Sequence, residues 1–120
     1  MWLCDVNFIY YRFADILLMK AECAVRNGAP GAGDQWIQEV RDRANAGPTA
    51  GFGLDEILAE RGRELFCEGH RRQDLIRFGK FNNAWWEKGV SSPDRNTFPV
   101  PQWAIDANPS LSEPPVPIGN

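Results

Sequence analysis

The sequence has no run of about 20 consecutive apolar residues, so nothing in it is long enough to span a membrane as a helix. It has a single histidine, His70, with no CxxC or HExxH spacing, which argues against a zinc site. Its three cysteines, Cys4, Cys23 and Cys67, are odd in number and widely spaced, so they form neither a disulfide framework nor a metal set. Cys23 and Cys67 fall inside helical patterns and read as small buried hydrophobes. No segment alternates with period two for long enough to propose a sheet. The first residues lack a basic stretch followed by a long apolar one, so they are no secretory signal, and no apolar run precedes Cys4 to suggest a lipid anchor there. Excess positive charge is also missing: 13 Lys and Arg against 16 Asp and Glu give a net charge of −3. That balance argues against broad nucleic-acid binding by electrostatics alone.

What is present is a 120-residue chain of ordinary globular composition, 43% apolar and 24% charged, enough for one domain. It is uneven along its length. Seven of nine prolines fall after residue 92, and five tryptophans are many for this size. Residues 8–27 read as a helix, with Tyr10, Phe13, Leu17, Ala21 and Ala24 at three- and four-residue steps. Ile9, Ile16, Met19 and Cys23 broaden that stripe, as burial on more than one side requires. Gly28 and Pro30 stop it, the glycine by accepting a left-handed conformation. Asp34 is placed to cap a second helix over 35–46, with Trp36, Ile37, Val40 and Ala44 on one face. A third helix is expected over 55–68, on Leu54, Ile57, Leu58, Leu65 and Phe66, and a fourth over 71–79, continuing or restarting through Trp85 and Trp86. Four helices joined by short glycine-bearing turns imply an all-α fold of stacked antiparallel hairpins. Ile16 and Ile57, equivalent in the two hairpins, lie 41 residues apart, longer than the tetratricopeptide period of about 34. Residues 8–88 form this repeat region. Residues 89–120 form a proline-rich loop and closing tail of the same domain, with one helical turn expected at 102–107.

The segment 60–77 concentrates charge. Glu60, Glu64 and Glu68 recur every four residues on one helix face. Arg61 falls on the apolar stripe between Ile57 and Leu65, and Arg72 lies one turn before Leu75 and Ile76. Arginines on core-facing stripes need carboxylates, because an unpaired buried charge costs about 3–5 kcal/mol. Arg61, Glu64, Glu68, Arg72 and Asp74 are therefore expected to form a structural salt-bridge network, with Glu64 reaching across the Gly69 turn to Arg72. Interleaved arginines depress carboxylate pKa values, which opposes a general-acid role. Gly62 inside a helix costs roughly 1 kcal/mol against alanine. Close approach of another backbone is one explanation, and the sequence does not choose it.

Four motifs in order then carry a family resemblance. The run 11–22, Tyr11-Arg12-Phe13-Ala14-Asp15-Ile16-Leu17-Leu18-Met19-Lys20-Ala21-Glu22, resembles the start of the last helical repeats of SusD/RagB-type proteins. Val40-Arg41-Asp42-Arg43-Ala44 resembles the "N-x-V-R-x-R-A" helix that follows. Residues 60–81 are similar to the family's most diagnostic run, and Phe98-Pro99-Val100-Pro101 with Asn108-Pro109-Ser110-Leu111 is similar to its closing "F-P-I-P … N-P-N-L". The usual final "Q-N-P-G-Y" is replaced by Ser112-Glu113-Pro114-Pro115-Val116. The resemblance implies a tetratricopeptide-like scaffold in an outer-membrane lipoprotein that is no enzyme. Such proteins capture glycans at the cell surface beside a SusC-like TonB-dependent transporter. It implies a C-terminal portion of such a protein, with signal and lipid anchor upstream, and it supplies no cofactor, metal or nucleic-acid partner.

No motif transfers a glycan-contacting residue. Sugar rings stack on exposed aromatics, which makes Trp85, Trp86 and Trp103 the candidates. Trp85 and Trp86 sit beside Asn82, Asn83 and Lys88, and on a helix one of the two would face inward and the other outward. Trp36 lies on an apolar stripe and reads as core. The competing reading is a helical-repeat module that binds protein without glycan, which the stacked hairpins alone would support.

Overall fold

The computed structural model describes residues 9–112; Trp2, Cys4 and the 113–120 end lie outside them. The chain forms two compact units, one ending at Phe81 and the other starting at Asn82. The first holds helices α1 (Phe13–Asn27), α2 (Asp34–Arg43), α3 (Leu54–Glu64) and α4 (Arg71–Arg77). The second holds a 3-10 turn at Pro93–Asn96, helix α5 (Gln102–Ala107) and a 3-10 turn at Pro109–Ser112. Among the described residues the fold is all-α, with α1 packed on α2 and α3, and α3 on α4. That pairwise order is the expected hairpin architecture.

The core of the first unit follows from the spacing of small and branched apolar residues. Ala14, Leu17, Leu18, Ala21 and Val25 line the inner face of α1, and Ile37, Val40 and Ile57 meet them from α2 and α3. Leu18, Ile37 and Ile57 are fully buried; each such side chain contributes about 1.5–3 kcal/mol. The inner face of α1 is not the one the expected stripe defined. Leu17 and Ala21 are on it, but Tyr10, Phe13 and Ile16 are exposed. The buried acids Asp15 and Glu22 flank the true face. They are drawn inward by arginines from α3 and α4, which turns Phe13 and Ile16 outward. The helix also starts later than expected, because Arg12 is extended (φ −131°, ψ 164°) and Tyr10 and Tyr11 precede it outside the helix.

Several ends differ from expectation for local reasons. Gly28 follows α1 with φ −138°, not in the left-handed region. Asp34 is the first residue of α2 rather than its cap. Its carboxylate accepts hydrogen bonds from the Gly51 and Phe52 backbone N–H groups at 2.6 and 3.0 Å, pinning the glycine-rich loop before α3. Helix α3 ends at Glu64, because Cys67 (φ +63°) and Gly69 (φ +82°) take left-handed conformations. That turn buries Leu65 but puts Phe66 and Cys67 in solvent. Cys23 is exposed too, so neither cysteine is the buried hydrophobe its sequence context suggested. Helix α4 stops at Arg77, and no helix runs through Trp85 and Trp86. Helix α5 forms where expected. No helix among the described residues is long and apolar enough to cross a membrane.

Two glycines mark close approaches. At Gly62 the neighbour is a side chain: a Cβ there would lie 2.7 Å from Arg71 Nη1, which donates to the Leu58 carbonyl at 2.8 Å. At Gly33 it is backbone: a Cβ would lie 2.6 Å from the Ala21 carbonyl oxygen and 2.7 Å from its Cα. Here α1 and α2 touch with no room for a methyl group. Gly33→Ala must push the two helices apart, and the expected loss is about 1–3 kcal/mol in denaturant melts. Gly47→Ala, where the nearest atom is 3.9 Å away, is the control and should stay within about 0.5 kcal/mol of the parent.

Candidate functional site

The charged residues of the first unit form a chain of alternating sign. Arg61, 4% exposed, lies between Asp15 of α1 and Asp74 of α4, exposed by 1% and 2%. Its Nε donates to Asp74 Oδ2 at 2.8 Å. Its Nη1 lies 2.8 Å from Asp15 Oδ1, but these two atoms are misaligned for a hydrogen bond, so that contact is Coulombic. Asp74 Oδ1 in turn accepts from Arg77 Nη2 at 2.9 Å. Arg77 grips Glu22 with both Nη atoms, at 2.5 and 2.9 Å, and Arg26 donates to Glu22 at 2.8 Å. The run Asp15–Arg61–Asp74–Arg77–Glu22–Arg26 thus ties α1, α3 and α4 together. Arg26 and Arg77 also lie over the Phe78 ring, 4.9 and 5.1 Å from its centroid. Burial pushes the Glu22 carboxyl up, but hydrogen bonds from Arg77 and Arg26 outweigh it and hold the pKa below the ordinary value. Arg77's own hydrogen bonds to Glu22 and, after it, to Asp74 raise its pKa against the opposing effect of burial.

A second cluster sits at the start of α1. Arg12 Nε donates to Glu68 Oε2 at 2.8 Å and Nη1 to Glu64 Oε1 at 2.5 Å, while Nη2 reaches the Glu64 carbonyl. Arg43 of α2 meets the same Glu64 carboxylate at 2.6 Å. The hydrogen bond from Arg12 holds the Glu68 carboxyl below its ordinary pKa. Glu60 is held by Arg41 and Arg63.

Of the five residues expected to form one network, Arg61 and Asp74 meet directly. Glu64 and Glu68 meet each other only through Arg12. The expected reach of Glu64 across the Gly69 turn to Arg72 is replaced by its hold on Arg12 and Arg43. The Arg72 guanidinium lies over the Phe81 ring, 5.2 Å from its centroid. Asp15, Glu22, Arg12 and Arg77 were missed. The available signal was on α1 itself: Asp15 and Glu22 are seven residues apart, two turns on one side of the helix.

The aromatic candidates all lie in the second unit. Trp85 and Lys88 exchange backbone hydrogen bonds at 3.0 and 2.9 Å across a tight turn with Trp86 and Glu87 at its corners. Glu87 takes φ +58° there. The helical argument that set one indole inward therefore does not apply: Trp85 is 46% exposed and Trp86 88%. Lys88 Nζ lies 5.2 Å from the Trp85 ring centroid and donates to the Asn83 and Gly89 carbonyls and to Ser91 Oγ. Ser91 Oγ donates to Asn82 Oδ1, and Asn82 Nδ2 to Asn96 Oδ1. Trp103, on α5, is 74% exposed. Trp36 is half-buried against the core of the first unit, with Lys20 over its ring. No group of acidic, histidine or cysteine side chains among the described residues is arranged to hold a metal.

Comparison with known proteins shows what this arrangement belongs to. The model of the SusD family matches residues 4–116, nearly the whole chain. The chain belongs to the SusD family. It is 33% identical over 119 residues to the starch-binding protein SusD of Bacteroides thetaiotaomicron, an alignment covering 91% of this chain and 21% of that protein. It is 36% identical to SusD-like protein P25 of Formosa agariphila, covering 89% of this chain and 23% of that one. SusD-like protein P38 of the same organism is 30% identical, with shares of 91% and 24%. The chain thus spans about a fifth to a quarter of the length of these curated relatives. No solved structure matches significantly.

Two consequences of the buried chain are measurable. Asp74→Ala removes the carboxylate that accepts the Arg61 Nε hydrogen bond and loosens Arg77, and should cost about 3 kcal/mol in a denaturant melt; a loss under about 1 kcal/mol would mean that the pair does not hold the helices. The second consequence concerns acid. Glu22 and Glu68 have folded-state pKa values below the ordinary 4.5. Their stabilisation is therefore full above 4.5 and is lost as pH falls through the depressed folded values. Glu22→Gln should lower stability at pH 7 and flatten the decline below pH 4.5, read from midpoints across a pH series.

Proposed function

We propose that this chain is part of a non-catalytic protein of the outer-membrane surface that captures a glycan and works beside a SusC-like TonB-dependent transporter. Family membership supports the class, and the name of the Bacteroides relative supplies a glycan to try first. The observation that carries the reading in this chain is the exposure of Trp85, Trp86 and Trp103 on one short, hydrogen-bonded unit. An indole in solvent offers a flat apolar face to the C–H side of a pyranose, while amides and hydroxyls nearby match its hydroxyls. Asn82, Asn96, Ser91 and Lys88 already bond to one another and to the backbone, so the Trp85–Lys88 turn is held before a ligand arrives. A platform ordered in advance loses less conformational freedom on binding. The ion-pair chain of the first unit plays a structural part in this reading, because its carboxylates are committed to arginines.

Affinity gel electrophoresis tests it, with amylopectin first and then a panel of neutral and acidic polysaccharides. At least one should retard the protein, and Trp86→Ala should weaken that retardation about tenfold, equivalent to 1.4 kcal/mol. If no glycan retards the protein, or if Trp86→Ala and Trp103→Ala both bind as the parent does, the aromatic platform is not a glycan site. A helical-repeat module without glycan binding then becomes the better reading.

A further inference from the structure

The two most exposed indoles of the second unit each have a carboxylate beside them. Trp86 and Glu87 are the corner residues of the turn closed by Trp85 and Lys88, and both are exposed. Glu87 holds its corner with φ +58°, a left-handed conformation that glycine or asparagine adopts more readily than glutamate. Among the described residues no cation pairs with its carboxylate. The neighbouring Lys88 is half-buried, with its ammonium over the Trp85 ring and its hydrogens given to two carbonyls and Ser91 Oγ. The pattern recurs on α5. Asp106, also exposed, follows Trp103 by three residues, one turn along the same side of the helix. The Gln102 amide donates to Asp106 Oδ1 at 2.9 Å, and no described residue bonds to Oδ2. The other charges of this unit among the described residues, Asp94 and Arg95, are chain neighbours of opposite sign that attract one another.

We propose that these carboxylates make the indole platform selective for uncharged, hydroxyl-rich glycans and set it against chains that carry uronate or sulfate. The inference rests on the glycan reading of the same indoles. An ionised carboxylate only accepts hydrogen bonds, and its two oxygens can take the hydroxyl hydrogens of neighbouring sugar carbons. Glu87 is placed to do this for a pyranose stacked on Trp86, because adjacent Cα atoms are about 3.8 Å apart. Asp106 is placed similarly for a sugar on Trp103. A hydroxyl-to-carboxylate bond is charge-assisted, and stronger than one between neutral groups. An anionic sugar meets the opposite effect. Two like charges about 5 Å apart in water weaken binding about fourfold. The ammonium of Lys88 is held against the Trp85 ring and its own loop rather than offered to the ligand. The backbone points the same way. Glycine would relax the left-handed corner, and glutamate keeps a carboxylate next to the indole although it strains the turn.

A matched pair of ligands tests it. The polysaccharide that retards the protein most strongly is compared with the same polysaccharide after part of its primary hydroxyls have been oxidised to carboxylates. Affinities are read by titration calorimetry at about 10 mM salt and again at about 500 mM, where charge repulsion between exposed groups is screened. At low salt the oxidised chain should bind about fourfold or more weakly, and the gap should narrow at high salt. Glu87→Gln should weaken the neutral ligand about threefold and narrow the gap, and Glu87→Lys should reverse the preference. Equal or tighter binding of the oxidised chain overturns the inference, as does a Glu87→Lys variant that keeps the parent's preference. So does a strongest ligand that is itself acidic, and in each of these cases Trp86-dependent glycan binding still stands. Retardation by no polysaccharide at all overturns the glycan reading and this inference with it. The salt dependence of the unsubstituted protein decides the matter even if a substitution prevents folding.

Discussion

A guanidinium buried among three helices has to be answered from more than one of them. Arg61 rises from the apolar stripe of α3 into a space with almost no water, and neither Asp15 nor Asp74 surrounds it alone. The first comes from α1 and the second from α4, so the position of one side chain fixes the relation of three helices. Apolar contacts are non-directional and would tolerate a helix turned by some tens of degrees. The charge contact tolerates no such turn, because a carboxylate moved away leaves an ion stranded in low dielectric. Arg77 then extends the constraint to Glu22, two turns further along α1.

That constraint explains where the sequence misled. The helical segments, their order and the hairpin pairing were legible from apolar spacing and from Gly and Pro at the breaks. The rotation of α1 was not. Apolar residues occur almost all round that helix, so periodicity alone admits more than one inner face. Asp15 and Glu22 decide between the faces, and they do so only through Arg61 and Arg77 on other helices. The same limit applies to Glu64. Its neighbours in sequence suggested Arg72, while its partners come from the start of α1 and the end of α2. Long-range pairing is written in geometry that local spacing does not carry.

The aromatic residues were legible as candidates but not in their setting. A helix through Trp85 and Trp86 was a fair reading of the segment after α4, yet the chain turns back on itself there, and Glu87 occupies a left-handed conformation to close the turn. Both indoles are then set at a corner rather than on opposite sides of a cylinder. Lys88 fixes the corner by spending its ammonium hydrogens on carbonyls and a serine hydroxyl. It is thereby committed to shaping the loop, with its ammonium over the Trp85 ring, which leaves Trp86 the more exposed of the two indoles.

The exposed apolar residues of α1 follow from this same division of labour. A helix held on its inner side by ion pairs as well as apolar contacts has its rotation fixed without help from its outer side. If Phe13 and Ile16 were needed to close the core of this unit they would have been drawn in, since Leu17 and Ala21 beside them are almost completely buried. They stay out because inward rotation would pull Asp15 and Glu22 from their arginines, a loss larger than the gain from covering two exposed side chains. The exposure of Phe13 and Ile16 is therefore a stable consequence of the buried charges.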